Sequence, residues 1–230
     1  MGEVTQVDST GFRGGGFVIK DGCTVLTAAH VAFGNGEADN RVVLVDESEI
    51  RVGHVLNFDF DLDEATGRFR RHAKAVVVQF GTFDDQSSEG LVGDIAVLRI
   101  VDCPARSDLH GPALGPQTPA TFLPTSKLST IAIRRGPDGI REFSERRCAA
   151  YARTPVSGLI FMTCDVREGD SGSMVLHEPT PGRVELAAVM IFRSKAPDGS
   201  VVAIGVHGAV VQGLIDTAER ALGNPGVKSP

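Results

Sequence analysis

The stretch Phe17-Val18-Ile19-Lys20-Asp21-Gly22-Cys23-Thr24-Val25-Leu26-Thr27-Ala28-Ala29-His30 carries the reading of the chain's architecture. Two apolar, β-branched runs, Phe17 to Ile19 and Thr24 to Thr27, flank the turn residues Asp21 and Gly22. Each run has strand length and is too short for a helix. The same pattern recurs outward in both directions. Arg41 to Val45, Ala73 to Phe80, Ile95 to Val101, Thr130 to Arg134, Leu159 to Thr163, Met174 to Leu176, Val184 to Phe192 and Val201 to Val211 are closely spaced runs of the same kind. With 27 glycines and 12 prolines to break them, they predict an all-β sandwich or barrel.

One amphipathic helix is expected, at about Val211 to Leu222. Leu214, Ile215, Ala218 and Leu222 recur at helical spacing, opposite Asp216, Glu219 and Arg220. Gly223 and Pro225 stop it, and residues 223–230 read as a tail. The clearest internal boundary is the proline-rich stretch from Pro104 to Pro124. It divides the chain into an N-terminal unit at 10–103, a connection at 104–120, a C-terminal unit at 121–211 and the helix at 212–222. The mixed-charge stretches Asp59 to Arg71 and Arg134 to Arg147 read as solvated surface loops.

Composition narrows the functional classes. The 230 residues are 42% hydrophobic and 23% charged with a net charge of −6, an ordinary globular make-up with no basic field for nucleic acid or acidic membrane. No run approaches the ~18 apolar residues of a membrane span. The first residues carry neither a basic nor an apolar signal region, and Gln6 breaks a myristoylation motif. The four cysteines, Cys23, Cys103, Cys148 and Cys164, are scattered and form no zinc-type pair. They read as reduced thiols of a cytoplasmic protein. Asp59, Asp61 and Asp63 alternate like calcium ligands, but Glu64 and Arg70 occupy positions that an EF-hand loop cannot give them.

Three local contexts carry chemistry. Thr27-Ala28-Ala29-His30 ends an apolar strand, Gly93-Asp94-Ile95-Ala96-Val97-Leu98 begins one, and Gly169-Asp170-Ser171-Gly172-Ser173 is a glycine-framed loop. Singly each is commonplace. Together they supply a hydroxyl nucleophile, an imidazole to take its proton and a carboxylate to orient the imidazole, the set that acyl transfer needs near neutral pH. A nucleophile elbow of the α/β-hydrolase kind fits less well. Ser173 stands where that motif has its last glycine, and the histidine and aspartate precede Ser171. The remaining histidines, His54, His72, His110, His177 and His207, have no such context.

In this order the three segments resemble the chymotrypsin/trypsin family of serine peptidases, in the manner of a bacterial intracellular member, over about Gly14 to Val211. The resemblance implies two six-stranded antiparallel β-barrels followed by a C-terminal helix. It implies Ser171 as nucleophile, His30 as general base and then acid, Asp94 as the orienting carboxylate, and the backbone N–H groups of Gly169 and Ser171 as the oxyanion hole. The implied partner is a protein or peptide substrate, with no metal, no cofactor, no nucleic acid and no membrane; any regulatory partner is unspecified. Asp165 falls where trypsin's aspartate selects Arg or Lys, so cleavage after these residues is expected; Phe192 falls where the pocket edge is usually glycine, and Gly205 on the opposite wall.

The family's activation terminus, Ile-Val-Gly-Gly, is missing, and Gly14-Gly15-Gly16-Phe17 matches the strand after it. Asp170, which that terminus would neutralise, is expected to pair with Arg167 or with local backbone N–H groups. Activity is therefore expected without N-terminal cleavage. The rival functions are a catalytically silent trypsin-like domain used for binding or regulation, and a protease module within a larger effector protein.

Overall fold

The structure is a computed structural model describing residues 1–6, 13–19, 22–33, 37–38, 41–42, 52–82, 87–103, 111–114, 122, 124–136, 138, 140–151, 156–195 and 199–222. Its N-terminal half comprises β1 (Gly2–Gln6), β2 (Arg13–Ile19), β3 (Thr24–Thr27), the one-turn helix α1 (Ala29–Phe33), a ribbon of β4 (Glu37–Ala38) and β5 (Arg41–Val42), β6 (Val55–Asp63), β7 (Arg68–Phe80), the short α2 (Ser88–Leu91) and β8 (Ala96–Ile100). Strands β1-β2-β3-β8-β7-β6 close into an antiparallel barrel when β6 pairs back onto β1.

The second half comprises β9 (Ala113–Leu114), β10 (Leu128–Arg135), β11 (Arg141–Ala150), β12 (Leu159–Thr163), β13 (Met174–Thr180), β14 (Arg183–Lys195), β15 (Val201–His207) and α3 (Gly208–Leu222). Here the order β13-β10-β11-β12-β15-β14 is closed by pairing of β13 with β14, while β9 adds in parallel on β14. The architecture is two six-stranded antiparallel barrels with one C-terminal helix, as the resemblance implied.

Side-chain parity explains both the barrels and several departures from expectation. Along β6, Leu56, Phe58, Phe60 and Leu62 are buried, while Asp59, Asp61 and Asp63 lie on the alternate face. The charged stretch 59–71 is therefore the β6–β7 hairpin and not a loop: its register runs to Asp63↔Arg68. Likewise 134–147 is the β10–β11 hairpin, paired from Leu128↔Cys148 to Arg135↔Arg141. High charge marked the exposed face of each ribbon and hid its buried partner face. The first barrel also begins earlier than residue 10, because Gly2–Gln6 is a barrel strand whose inward apolar side chain is Val4 alone. One apolar residue is too weak a pattern to announce a strand. At the other end the helix starts at Gly208, so Gly208 to Val211 turn helically after β15 ends.

The two barrels share a core. Leu186, Val189 and Ile191 of β14, Ile204 and Val206 of β15, and Val211, Ile215 and Ala218 of α3 pack with Phe17, Leu26, Phe58 and Leu98 of the first barrel. Ala187, Ala188 and Met190 on the other face of β14 belong to the second barrel's own core with Phe122, Ile160, Met162 and Val175. Strand β14 is thus buried on both sides, which accounts for its unbroken apolar run. Helix α3 packs against β7 and β8 as well as β14 and β15 and so ties the barrels together. Among the described residues, no helix is long and apolar enough to cross a membrane.

All four cysteines are paired, Cys23 with Cys103 and Cys148 with Cys164. This corrects the expectation of reduced thiols, and the argument from thiols to a cytoplasmic location falls with it. The pairings join positions 80 and 16 residues apart, brought together only by the barrels. Most of the proline-rich connection and the whole 223–230 tail lie outside the described residues.

Candidate active site

Strand β3 delivers the chain through buried Ala28 into α1, whose single turn is closed by Val31 and Ala32 N–H groups donating to the Ala28 carbonyl. His30 sits in that turn. Its backbone N–H donates to Asp94 Oδ1 at 3.0 Å, and its ring Nδ1 meets Asp94 Oδ2 at 2.7 Å. One carboxylate thus holds both the backbone and the imidazole of His30. With Nδ1 carrying the hydrogen toward Asp94, Nε2 is left as the basic nitrogen. Asp94 is buried in the turn between α2 and β8, its own N–H donating to the Leu91 carbonyl at 3.1 Å.

Ser171 comes from the second barrel, in the turn between β12 and β13. Its carbonyl accepts the Gly15 N–H at 2.7 Å across the junction. The Cβ position of Gly14 lies 2.4 Å from Val31 Cγ2 and 2.9 Å from the Ser171 carbonyl. Gly14 thus lies between the Ser171 carbonyl and Val31, the residue after His30. Gly172 completes the junction, with φ of +81° and a Cβ position only 2.0 Å from the Gly15 carbonyl and 2.6 Å from Thr27 Oγ1. The Ser171 hydroxyl donates to the Ile191 carbonyl at 3.3 Å. That carbonyl lies at a register break in β14, between Met190 and Phe192, the kind of irregularity that frees backbone groups from a ladder.

Gly169 has φ of +87°, a conformation open chiefly to glycine, and nothing lies within 4 Å of its Cβ position. Among the described residues, the N–H groups of Gly169 and Ser171 have no acceptor. Two such donors in one tight turn beside a hydroxyl are the kind of group that can receive an anion.

Beside this loop lie Asp165, Phe192 and Gly205, the residues expected to line a pocket. Asp165 is 57% exposed, and its Oδ2 lies 3.6 Å from Arg134 Nη1, 3.3 Å from Arg146 Nε and 3.5 Å from Arg167 Nη2. Desolvation, the largest single influence, raises the Asp165 pKa, but Arg167, Arg134 and Arg146 together outweigh it and hold the carboxyl below its ordinary range. Phe192 is 42% exposed on β14. A side chain at Gly205 would meet Ala188 Cβ at 2.9 Å and Met162 Cε at 3.4 Å, inside the second core. No hydrogen bond or ring contact joins Asp165, Phe192 and Gly205 among the described residues.

Asp170 does have a partner, and it is chiefly Arg134. Arg134 Nε donates to Asp170 Oδ1 at 3.1 Å and Nη2 donates to Oδ2, while the Arg167 N–H donates to Oδ2 at 2.8 Å. The backbone half of the expectation thus holds; the Arg167 guanidinium faces Asp165 instead. The parity of β10 explains the burial of Arg134. Thr130 and Ala132 of β10 are buried, and two residues on, Arg134 falls on the same inward face, where a charge requires a partner.

The other histidines stand apart from this site. His72 pairs with Asp59 at 2.8 Å on the surface of β6 and β7, and His177 and His207 both contact the Phe122 ring, at centroid distances of 5.0 and 5.7 Å. His54 is exposed, and His110 is outside the described residues. Among the described residues, no group of three His, Cys, Asp or Glu side chains stands ready for a metal ion.

No protein-family profile matches the sequence, and no curated protein does. A solved structure does match: the serine endoprotease from Yersinia pestis, with a TM-score of 0.56 and 13% identity over 95% of this chain and 62% of the other. The fold is chymotrypsin-like. The chain spans less than two thirds of that endoprotease's length, and at this identity the likeness concerns the fold alone.

Proposed function

We propose that the chain is a serine endopeptidase acting on protein or peptide substrates through an acyl-enzyme. The observation that carries this reading is the 2.7 Å contact of His30 Nδ1 with buried Asp94, in a turn that shares the neighbour Gly14 with the Ser171 carbonyl. On this reading the Ser171 hydroxyl leaves the Ile191 carbonyl for His30 Nε2 when substrate binds; such hydrogen bonds often tighten only in the substrate complex. Oγ then attacks the scissile carbonyl while Nε2 takes its proton. Asp94 stabilises the resulting imidazolium, and the Gly169 and Ser171 N–H groups receive the oxyanion. Collapse expels the amine, which takes the proton from His30. Water repeats the sequence on the acyl-enzyme. These groups suffice for the chemistry without metal or cofactor.

Arg or Lys selection rests on Asp165 alone. Around it, the guanidiniums of Arg134, Arg146 and Arg167 oppose the carboxylates of Asp165 and Asp170 and leave net positive charge. Such a site has no electrostatic reason to prefer a cationic side chain, and we expect a peptide library to show no strong Arg or Lys preference. Strong selection for either residue would overturn that expectation.

The enzyme itself is tested with a fluorophosphonate probe and the same library, comparing wild type with Ser171→Ala. Labelling at Ser171 is expected, with kcat falling by about 10⁶ in the variant, as in other triad enzymes. Folded wild type that leaves the probe unreacted would instead be a catalytically silent domain. Protonation of His30 removes the base, so turnover should also fall at acid pH.

A further inference from the structure

In the β10–β11 pair, Arg146 stands opposite Thr130. Arg146 shares the strand face of buried Ser144 and Cys148, as Arg134 shares that of buried Thr130 and Ala132. Two arginines thus rise from the inward face of the second barrel, and the turn between β12 and β13 brings Arg167 to the same place. Three guanidiniums meet at one oxygen, Asp165 Oδ2, at 3.6 Å from Arg134 Nη1, 3.3 Å from Arg146 Nε and 3.5 Å from Arg167 Nη2. We infer that this cluster is a specificity site for a carboxylate of the substrate, which Asp165 fills only in part. The inference rests on the protease reading and deepens it, by naming the substrate class of the Ser171 site.

One carboxylate leaves the set unsatisfied. Charge-assisted N–H···O bonds of this kind lie at about 2.7–2.9 Å, and all three contacts are longer. Among the described residues, Arg146 and Arg167 pair with no other carboxylate, and the Arg146 guanidinium otherwise donates to the Glu145 carbonyl at 3.4 Å. Arg134 adds a separate observation. Its side chain is 9% exposed, and its Nε and Nη2 are engaged by Asp170 and the Asp165 carbonyl. Its Nη1 is buried with no hydrogen-bond partner among the described residues. A buried donor without an acceptor is costly, and a second carboxylate here supplies one. Asp165 is 57% exposed, and its carboxylate is gripped by none of the three at short range, so it is free to share the position.

The cluster lies one turn from the reacting groups. The Asp170 N–H donates to the Arg167 carbonyl at 3.1 Å, and the Arg167 N–H returns to Asp170 Oδ2 at 2.8 Å. Gly169 and Ser171 flank Asp170, so a peptide held at their N–H groups carries its neighbouring side chains past Arg167. Guanidiniums present donors alone, which a carboxylate meets with acceptors alone. The matching amide turns an NH₂ group toward them and is disfavoured.

The test uses the full chain and pairs of end-blocked peptides that differ only by Glu against Gln at one position near the cleaved bond. Wild type should favour the Glu member by roughly 10–100-fold in kcat/KM, the range of a hydrogen bond to a charged group. Arg146→Gln combined with Arg167→Gln should bring that ratio below about threefold, since Gln has no charge and no fork. The two side chains are 35% and 65% exposed, so this variant should fold, and its melting temperature checks that it does. Asp165→Asn should raise the ratio above the wild-type value, because it removes the resident competitor. Arg70→Gln, which removes a cation on the β6–β7 hairpin, should leave it unchanged.

A second peptide set, with its only carboxylate at a free C-terminus, separates the two sources of the group. A gain confined to that set keeps the site and assigns it to the chain end. Wild type that cleaves Glu and Gln peptides alike and gains nothing from a free C-terminus overturns the inference. So does a preference that survives the double arginine variant, or one that Asp165→Asn abolishes. Folded wild type that neither cleaves any peptide nor takes the fluorophosphonate overturns the protease reading, and the carboxylate site with it.

Discussion

Gly172 and Gly169 lie three residues apart in one turn, and both have positive φ, yet they carry different demands. At Gly172 a methyl group would enter the Gly15 carbonyl at 2.0 Å, and only backbone movement relieves that clash. At Gly169 nothing lies within 4 Å, so a methyl group meets only the strain of φ at +87°. Gly172→Ala should therefore destabilise the protein by about 3 kcal/mol or more and part the barrel junction, whereas Gly169→Ala should cost about 1–2 kcal/mol. Both should lose activity. Urea unfolding of the two variants checks the difference, and equal losses of stability would contradict it. The glycine frame around Ser171 was visible in the residues. The reason for Gly172 was not, because the Gly15 carbonyl and Thr27 hydroxyl come from two strands of the other barrel, β2 and β3.

Strand parity, at the scale of elements, both revealed and concealed. Alternation of Leu56, Phe58, Phe60 and Leu62 was present in the sequence, but the aspartates between them made the segment read as a loop. The same blindness hid Arg134, one charge in a stretch dense with charge. Strands β13 and β14 carry a further consequence, since His177 stands opposite Glu185 and edge-on to Phe122. Burial lowers the His177 pKa from 6.5, and the attraction of Glu185 only partly offsets this. The unfolded chain then binds the proton more readily than the folded one. Stability from this group is present above the unfolded value and is lost as pH falls through about 6.5 toward the lower folded value. His177→Leu should flatten that part of the profile of melting temperature against pH. An unchanged slope would show that the histidine contributes nothing to it.

At the scale of the whole molecule, the two barrels are joined through the face shared by β14, β15 and α3, and by crosslinks that no local pattern announces. Loop-closure entropy gives about 3 kcal/mol for the pairing of Cys148 with Cys164 and about 4.5 kcal/mol for Cys23 with Cys103, at separations of 16 and 80. Denatured but unreduced protein should therefore take up no thiol reagent, and reduction should lower the melting temperature. Two or more reactive thiols in the unreduced chain would refute the pairing. The Cys148–Cys164 bridge also anchors the strand end next to Asp165, so its loss should reduce turnover as well as stability. By itself the sequence determined the barrel class, through short β-branched runs between turn residues, and the three segments that carry His30, Asp94 and Ser171, because those signals are local. Only the tertiary structure decided the disulfides, the arginines around Asp165 and the union of Arg134 with Asp170. Each of these depends on strands remote in sequence meeting side by side, and distance along the chain carries no record of that meeting.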